Sequence, residues 1–199
     1  MKYLFFIFIS IQNLAAQSPS LSLRVSYEWI QPDFIQEELI AKTSNIGYHY
    51  PTEGYRIGLT YHQPVYKSIG ILTEGGYSQG GFDAFRHYYT KKLNQVYLMV
   101  SPQFFINKYL SISAGGILNY TQSKMTFQGK PDPSFNRKNY GSVLGGSIHF
   151  YKFEVGFRYI HYMNPYYDYN EWFFKENSYQ IWNIKSVFLG FHFWKKAKT

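Results

Sequence analysis

A chain of 199 residues with no cysteine and a formal net charge of +8 excludes a disulfide scaffold, a thiolate metal site and a thiol-anchored lipoprotein. Tyr, Phe and Trp supply 22% of the residues, yet the mean hydropathy is −0.32. No stretch after Gln17 approaches the roughly 20 apolar residues of a spanning helix, so a helical membrane protein is excluded, whereas strands with a single apolar face remain compatible.

Residues 1–16 read as a cleaved signal peptide: Lys2 gives the charged start, Tyr3 to Ile11 the apolar stretch, and Leu14-Ala15-Ala16 the small-residue cleavage site. Residues 17–199 then make one barrel domain, since no Pro-, Gly- or Ser-rich linker divides them. The domain opens on period-two alternation, with Leu21, Leu23, Val25, Tyr27 and Trp29 on one face and Ser22, Arg24, Ser26 and Glu28 on the other. A second strand places Tyr55, Ile57, Leu59 and Tyr61 against Gly54, Arg56, Gly58, Thr60 and His62. Further strands are predicted at about 66–78, 93–105, 109–121, 140–150, 153–162 and 179–194, which makes eight. Only 93–105, apolar on both sides, leaves its faces undecided.

The connections alternate in length. Long ones are predicted at about 31–53, 79–92, 122–139 and 163–178, and short ones at Gln63-Pro64-Val65, Asn107-Lys108 and Tyr151-Lys152, where Asn tolerates the positive φ that tight turns require. The expected fold is therefore all-β: an eight-stranded antiparallel up-and-down transmembrane barrel with short periplasmic turns and long extracellular loops. Tyr140 to Phe150 agrees with a membrane crossing, being about 33 Å of strand and, at a tilt near 40°, roughly 25 Å of height. Aromatics gather where two girdles belong, with Tyr27, Trp29, Tyr55, Tyr77, Tyr120, Tyr140 and Tyr159 near one rim and Tyr61, Tyr66, Phe104, Phe150 and Phe153 near the other.

Three further features carry a family resemblance. They are Gly-Tyr-Arg-Ile-Gly-Leu-Thr-Tyr at 54–61, the in-strand pairs Gly75-Gly76, Gly115-Gly116 and Gly145-Gly146, and the closing Val-Phe-Leu-Gly-Phe-His-Phe-Trp at 187–194. On these the chain resembles the eight-stranded outer-membrane proteins of the OmpA/OmpX-like type and the outer-membrane β-barrel proteins of Bacteroidota. The resemblance implies a Gram-negative outer-membrane location and a last strand read by the barrel-assembly machinery. Lys195 to Thr199, which follow that strand, depart from the pattern. A monomer without cofactor is expected.

If the apolar parity faces lipid, Arg24, Glu28, Arg56, Glu74, Glu154 and Arg158 point into a lumen with room only for side chains, where opposite charges are expected to pair. Part of the positive charge lies instead in the long connections, at Arg86, Lys91, Lys92, Lys124, Lys130, Arg137 and Lys138. These either contact lipopolysaccharide phosphates or form a solvated face. Nucleic acid is not an expected partner of an exported barrel.

One segment touches on catalysis. Arg158-Tyr159-Ile160-His161-Tyr162-Met163-Asn164 resembles the His-x-Ser-Asn segment of lipid A deacylase barrels, which implies His161 as a base. The nucleophile position, however, holds Met163, and a thioether cannot be activated to attack an ester, so only His161 carries over. The six histidines show no metal-ligand spacing with one another or with a carboxylate pair. The expectation is a non-enzymatic barrel displaying surface loops for lipopolysaccharide or an extracellular ligand. The alternatives are a membrane-embedded lipid A or phospholipid hydrolase, and a soluble periplasmic lipocalin-like binder of reversed parity.

Overall fold

The computed structural model describes residues 18–34, 52–84, 89–127, 130–163, 167–168 and 179–195. Its strands are β1 (Ser20–Phe34), β2 (Thr52–Tyr66), β3 (Ile69–Ala84), β4 (Tyr89–Phe105), β5 (Leu110–Phe127), β6 (Lys130–Phe150), β7 (Phe153–Tyr162), β8 (Tyr167–Asp168) and β9 (Tyr179–Lys195). Each of the long strands pairs antiparallel with its neighbours in chain order, and β9 returns to pair with β1 from Ser20↔Lys195 to Phe34↔Gln180. The wall is a closed eight-stranded barrel, with the two-residue β8 added only to the start of β9.

Closure pairs both edges of every long strand around the band, and alternation decides what each side shows. The outer surface is apolar: Leu23, Val25, Leu59, Val100, Leu118, Leu144 and Leu189 are all between 40 and 56% exposed. The interior is polar and charged, the reverse of a water-soluble barrel that binds an apolar ligand. β4 takes sides accordingly, with Val96, Leu98 and Val100 outward and Gln95, Tyr97, Met99, Ser101 and Gln103 inward. One apolar layer does lie inside, where Ile30, Ile184, Ile160 and Val143 follow one another in register around the wall.

The apolar band has the expected height but the strands outrun it. On β6 it runs from Phe150 to Tyr140 and gives way to the exposed Lys138, although the strand itself has 21 residues. At about 3.3 Å per residue and a tilt near 40° that strand rises about 50 Å, some twice the band. Residues 79–84 and 89–92, and 122–127 and 130–139, predicted as loops, thus continue the ladders: Gln79 to Ala84 pair with Asn94 to Tyr89, and Gln122 to Phe127 with Asn136 to Lys130. Their polar alternation carries no apolar face to mark a strand, which is why the sequence pattern ended early.

The first short connection also moves. β2 runs through Gln63-Pro64-Val65, with a register shift between Pro64 and Tyr66 that absorbs the proline, and the turn falls at Lys67-Ser68. Nor does Asn107 take the positive φ. Lys67 and Tyr151 do, at 34° and 51°, while Asn107 closes its turn by accepting from the backbone N–H of Tyr109 and Leu110.

Candidate functional site

The lumen holds the six charged residues singled out by parity, three Arg and three Glu, none more than 4% exposed. Glu74 on β3 is the hub. It accepts from Arg24 Nη1 (3.0 Å) on β1, from Arg158 Nη1 and Nη2 (3.1 and 2.7 Å) on β7, from the Tyr97 hydroxyl (2.8 Å) on β4, and from Thr60 Oγ1 (3.3 Å) on β2. Arg24 also forks onto Glu154 with 2.7 Å contacts to both oxygens. Farther along the axis, Arg56 Nε lies 2.7 Å from Glu28 Oε1, an ion pair too bent for a hydrogen bond, and Ser78 donates to Glu28 Oε2. Equal numbers of each sign let these groups neutralise one another, which is what makes their burial tolerable.

Rings and glycines shape this network. Arg24 and Arg158 stack on Phe188 at 4.7 and 5.2 Å from the centroid, and Arg56 lies over Tyr97 at 4.3 Å. Phe188 fits because Gly156 faces it: a Cβ there would stand 2.4 Å from the ring. Gly58 likewise admits the Tyr97 hydroxyl, which a Cβ would meet at 2.1 Å. Toward the rim away from the turns a neutral layer follows, in which Asn119 donates to Gln95 and to the Tyr162 hydroxyl and Thr121 donates to Asn139. Parity puts Thr60 and Phe188 on the inward face without marking them as partners of the charges, and it leaves Tyr97 without a side. The undecided faces of β4 hid Tyr97, and Phe188 stands among aromatics of both parities.

At the turn end the lumen opens into a cavity of about 290 Å³ lined by Ser20, Ser22, Arg24, His62, His149, Glu154 and His192 among others. Here residues without metal-ligand spacing in the sequence are brought together by the fold. His149, Glu154 and His192 come together, one ligand atom from each within 4.8 Å of the others. Sequence spacing missed them because sheet register, not a local motif, unites β6, β7 and β9.

His161 keeps the outward parity of Phe157. Its Nδ1 is 2.8 Å from Asn183 Oδ1, which also accepts from the Tyr159 hydroxyl at 2.7 Å. Met163 at the nucleophile position is 56% exposed. Among the cations of the long connections, Lys138 is exposed on β6. Lys91, Lys92, Lys124, Lys130 and Arg137 have backbones on β4, β5 and β6, but their side chains, and all of Arg86, lie outside the described residues. Each short turn presents its own pair, with Lys67, Lys108 and Lys152 ammonium groups 5.3, 4.7 and 5.8 Å from the ring centroids of Tyr66, Tyr109 and Tyr151.

A closed eight-stranded antiparallel barrel with an apolar outer band and an ion-paired lumen defines the fold of the small outer-membrane barrels. Solved structures of that kind match nearly the whole chain. Ail, the attachment invasion locus protein of Yersinia pestis, is 13% identical with a TM-score of 0.55, over 90% of this chain and all of Ail. Neisserial surface protein A is 12% identical with a TM-score of 0.59, over 89% of this chain and all of that one. Ail has also been crystallised with the heparin analogue sucrose octasulfate, a structure 12% identical to this chain with a TM-score of 0.54, over 90% of this chain and all of that one. No family model matches the sequence, and no curated protein matches it.

Proposed function

We propose that this protein is a non-enzymatic component of a Gram-negative outer membrane, exported by residues 1–16 and anchored by the barrel as a closed, monomeric post. The observation that carries the reading is the inversion of the barrel: a band of half-exposed Leu, Val, Ile and aromatic side chains surrounds a lumen containing three buried ion-paired arginines. Only a hydrocarbon surrounding makes such an exterior favourable. The Tyr and Lys pairs of the short turns suit the interface at one edge of that band, and Tyr27, Trp29, Tyr55, Tyr120 and Tyr140 suit the other.

The turn end faces the periplasm in this reading, and the long hairpins β3–β4 and β5–β6 stand outside the membrane. They would engage lipopolysaccharide or another polyanion at the cell surface. In support, Lys92 and Lys124 oppose one another in register, as do Tyr120 and Lys138 and Thr121 and Arg137, which concentrates cations on three adjacent strands. Like charges opposed in a ladder repel, and an anion between them relieves the repulsion. That Ail binds a heparin analogue makes a sulfated or phosphorylated surface glycan a reasonable class to test. The test is binding of purified lipopolysaccharide to the barrel in detergent. Replacing Lys91, Lys92, Lys124, Lys130, Arg137 and Lys138 together by Gln abolishes binding if the reading holds; unchanged binding refutes it.

A further inference from the structure

We propose that the turn end of the barrel carries a site for a divalent transition-metal cation of the zinc class, built from His149, Glu154 and His192. Glu154 is the register partner of His149 across β6 and β7 and of Gly190 across β7 and β9, and His192 follows two residues after Gly190. Inward parity therefore aims all three side chains at one place near the open end of the lumen. Gly190 leaves the Glu154 carboxylate room between its neighbours, since a Cβ there would stand 3.2 Å from Oε2.

The separations favour a bridging ion over direct contact. His149 Nε2 is 3.9 Å from Glu154 Oε1, and His192 Nε2 is 3.8 Å from Glu154 Oε2. Hydrogen bonds between such atoms end near about 3.2 Å, so neither pair makes one. Two donors each about 2.0–2.1 Å from a tetrahedral zinc ion stand about 3.3–3.4 Å apart. The three ligand atoms lie within 4.8 Å of one another, so drawing them onto one ion takes side-chain shifts of up to about 1.5 Å. Among the described residues the His192 ring makes no hydrogen bond and its buried Nδ1 has no partner, so the 3.8 Å approach of Nε2 to Glu154 is the polar contact that restrains it. Two imidazoles and one carboxylate are a donor set zinc accepts with its fourth position open to water, and here that position faces the cavity.

Three features lower the affinity without closing the site, and the first is the positive charge of Lys108 and Lys195, which line the same cavity. Arg24 donates Nη2 to both Glu154 oxygens and Nε to Oε2, so Oε1 is the oxygen that keeps a lone pair free of the arginine, and the arginine charge opposes a dication. His149 Nε2 lies 2.8 Å from Ser111 Oγ, a hydroxyl the ion must displace. The imidazoles give preference over Mg²⁺ and Ca²⁺, which take oxygen donors, and a constant on the order of micromolar is the value the titration is set to detect.

The test uses the mature chain, refolded in detergent without an affinity tag and titrated calorimetrically with Zn²⁺ and, separately, Mg²⁺. One Zn²⁺ per barrel is expected, with at least tenfold weaker binding in His149→Ala or His192→Ala, none in the double variant, and no Mg²⁺ signal. Glu154 is left intact because its loss would remove the bidentate partner of Arg24 and so perturb the barrel as well as the site. Should the variants fail to refold, Co²⁺ added to the unaltered protein reports by its visible absorption, which intensifies in a four-coordinate site. No zinc binding up to about 100-fold above that micromolar constant, a cobalt spectrum unchanged from water, or a folded double variant that binds as before would each overturn the proposal. The result does not depend on which side of a membrane the turn end faces.

Discussion

Replacing Glu74 by Gln keeps the shape of the hub but removes the charge that Arg24 and Arg158 share. The two arginines are not affected alike. Arg24 retains Glu154, whereas both hydrogen bonds of Arg158 to a carboxylate go to Glu74, and Arg158 is 2% exposed. Removing one partner of a buried pair costs about 3–5 kcal/mol, because the stranded charge has no water to turn to. With an m-value of about 2 kcal/mol/M in urea, the unfolding midpoint of the detergent-refolded barrel, followed by tryptophan fluorescence, should fall by about 2 M. Glu154→Gln should cost less, since Arg24 still reaches Glu74 at 3.0 Å. Adding Arg158→Met to Glu74→Gln should recover most of the loss, because no unpaired charge then remains on β7. A Glu74→Gln midpoint within 0.5 M of wild type (about 1 kcal/mol at that slope), or a Glu154→Gln effect equal to it, would refute the view that the network is held by specific pairing.

Gly58→Ala should destabilise the barrel by about 1–3 kcal/mol by pushing the Tyr97 hydroxyl off Glu74, and the same substitution in a Tyr97→Phe background should cost clearly less, so additive losses would contradict the contact. Leu189→Arg, at a position 54% exposed on the outer band, should cost about 2–4 kcal/mol in a lipid bilayer, as a charge facing hydrocarbon does. On the surface of a water-soluble protein the same change would stay within about 0.5 kcal/mol, and that outcome would argue against the membrane reading. In planar bilayers the ion-paired and ring-stacked lumen should give no steady conductance, and sustained current well above leak would show the plug to be incomplete.

Where residues alternated cleanly, the sequence was enough to place them. Arg24, Arg56 and Glu154 sit between apolar neighbours two apart, so their side of the wall follows from period two alone, and their shared destination from the narrowness of an eight-stranded barrel. The same rule stalled on β4, because Tyr97 and Met99 are apolar residues facing inward beside Val96, Leu98 and Val100 facing out. It stopped early on the long hairpins, where Gln79 to Ala84 and Gln122 to Phe127 carry too few apolar residues in alternation to mark a strand. Pro64 gave the appearance of a turn three residues before the chain reverses at Lys67-Ser68. The cluster of His149, Glu154 and His192 was out of reach for another reason: it depends on the stagger of β6, β7 and β9, a property of closure that no spacing within one strand encodes.

The central claim is that the barrel wears its apolar face toward lipid, and sucrose-gradient fractionation of the cells that make the protein tests it most directly. The full chain should sediment with the outer membrane, resist extraction by alkaline carbonate, and migrate faster on an unheated gel than on a boiled one. Recovery of the mature protein in the soluble periplasm, with no heat-dependent shift, would contradict the account.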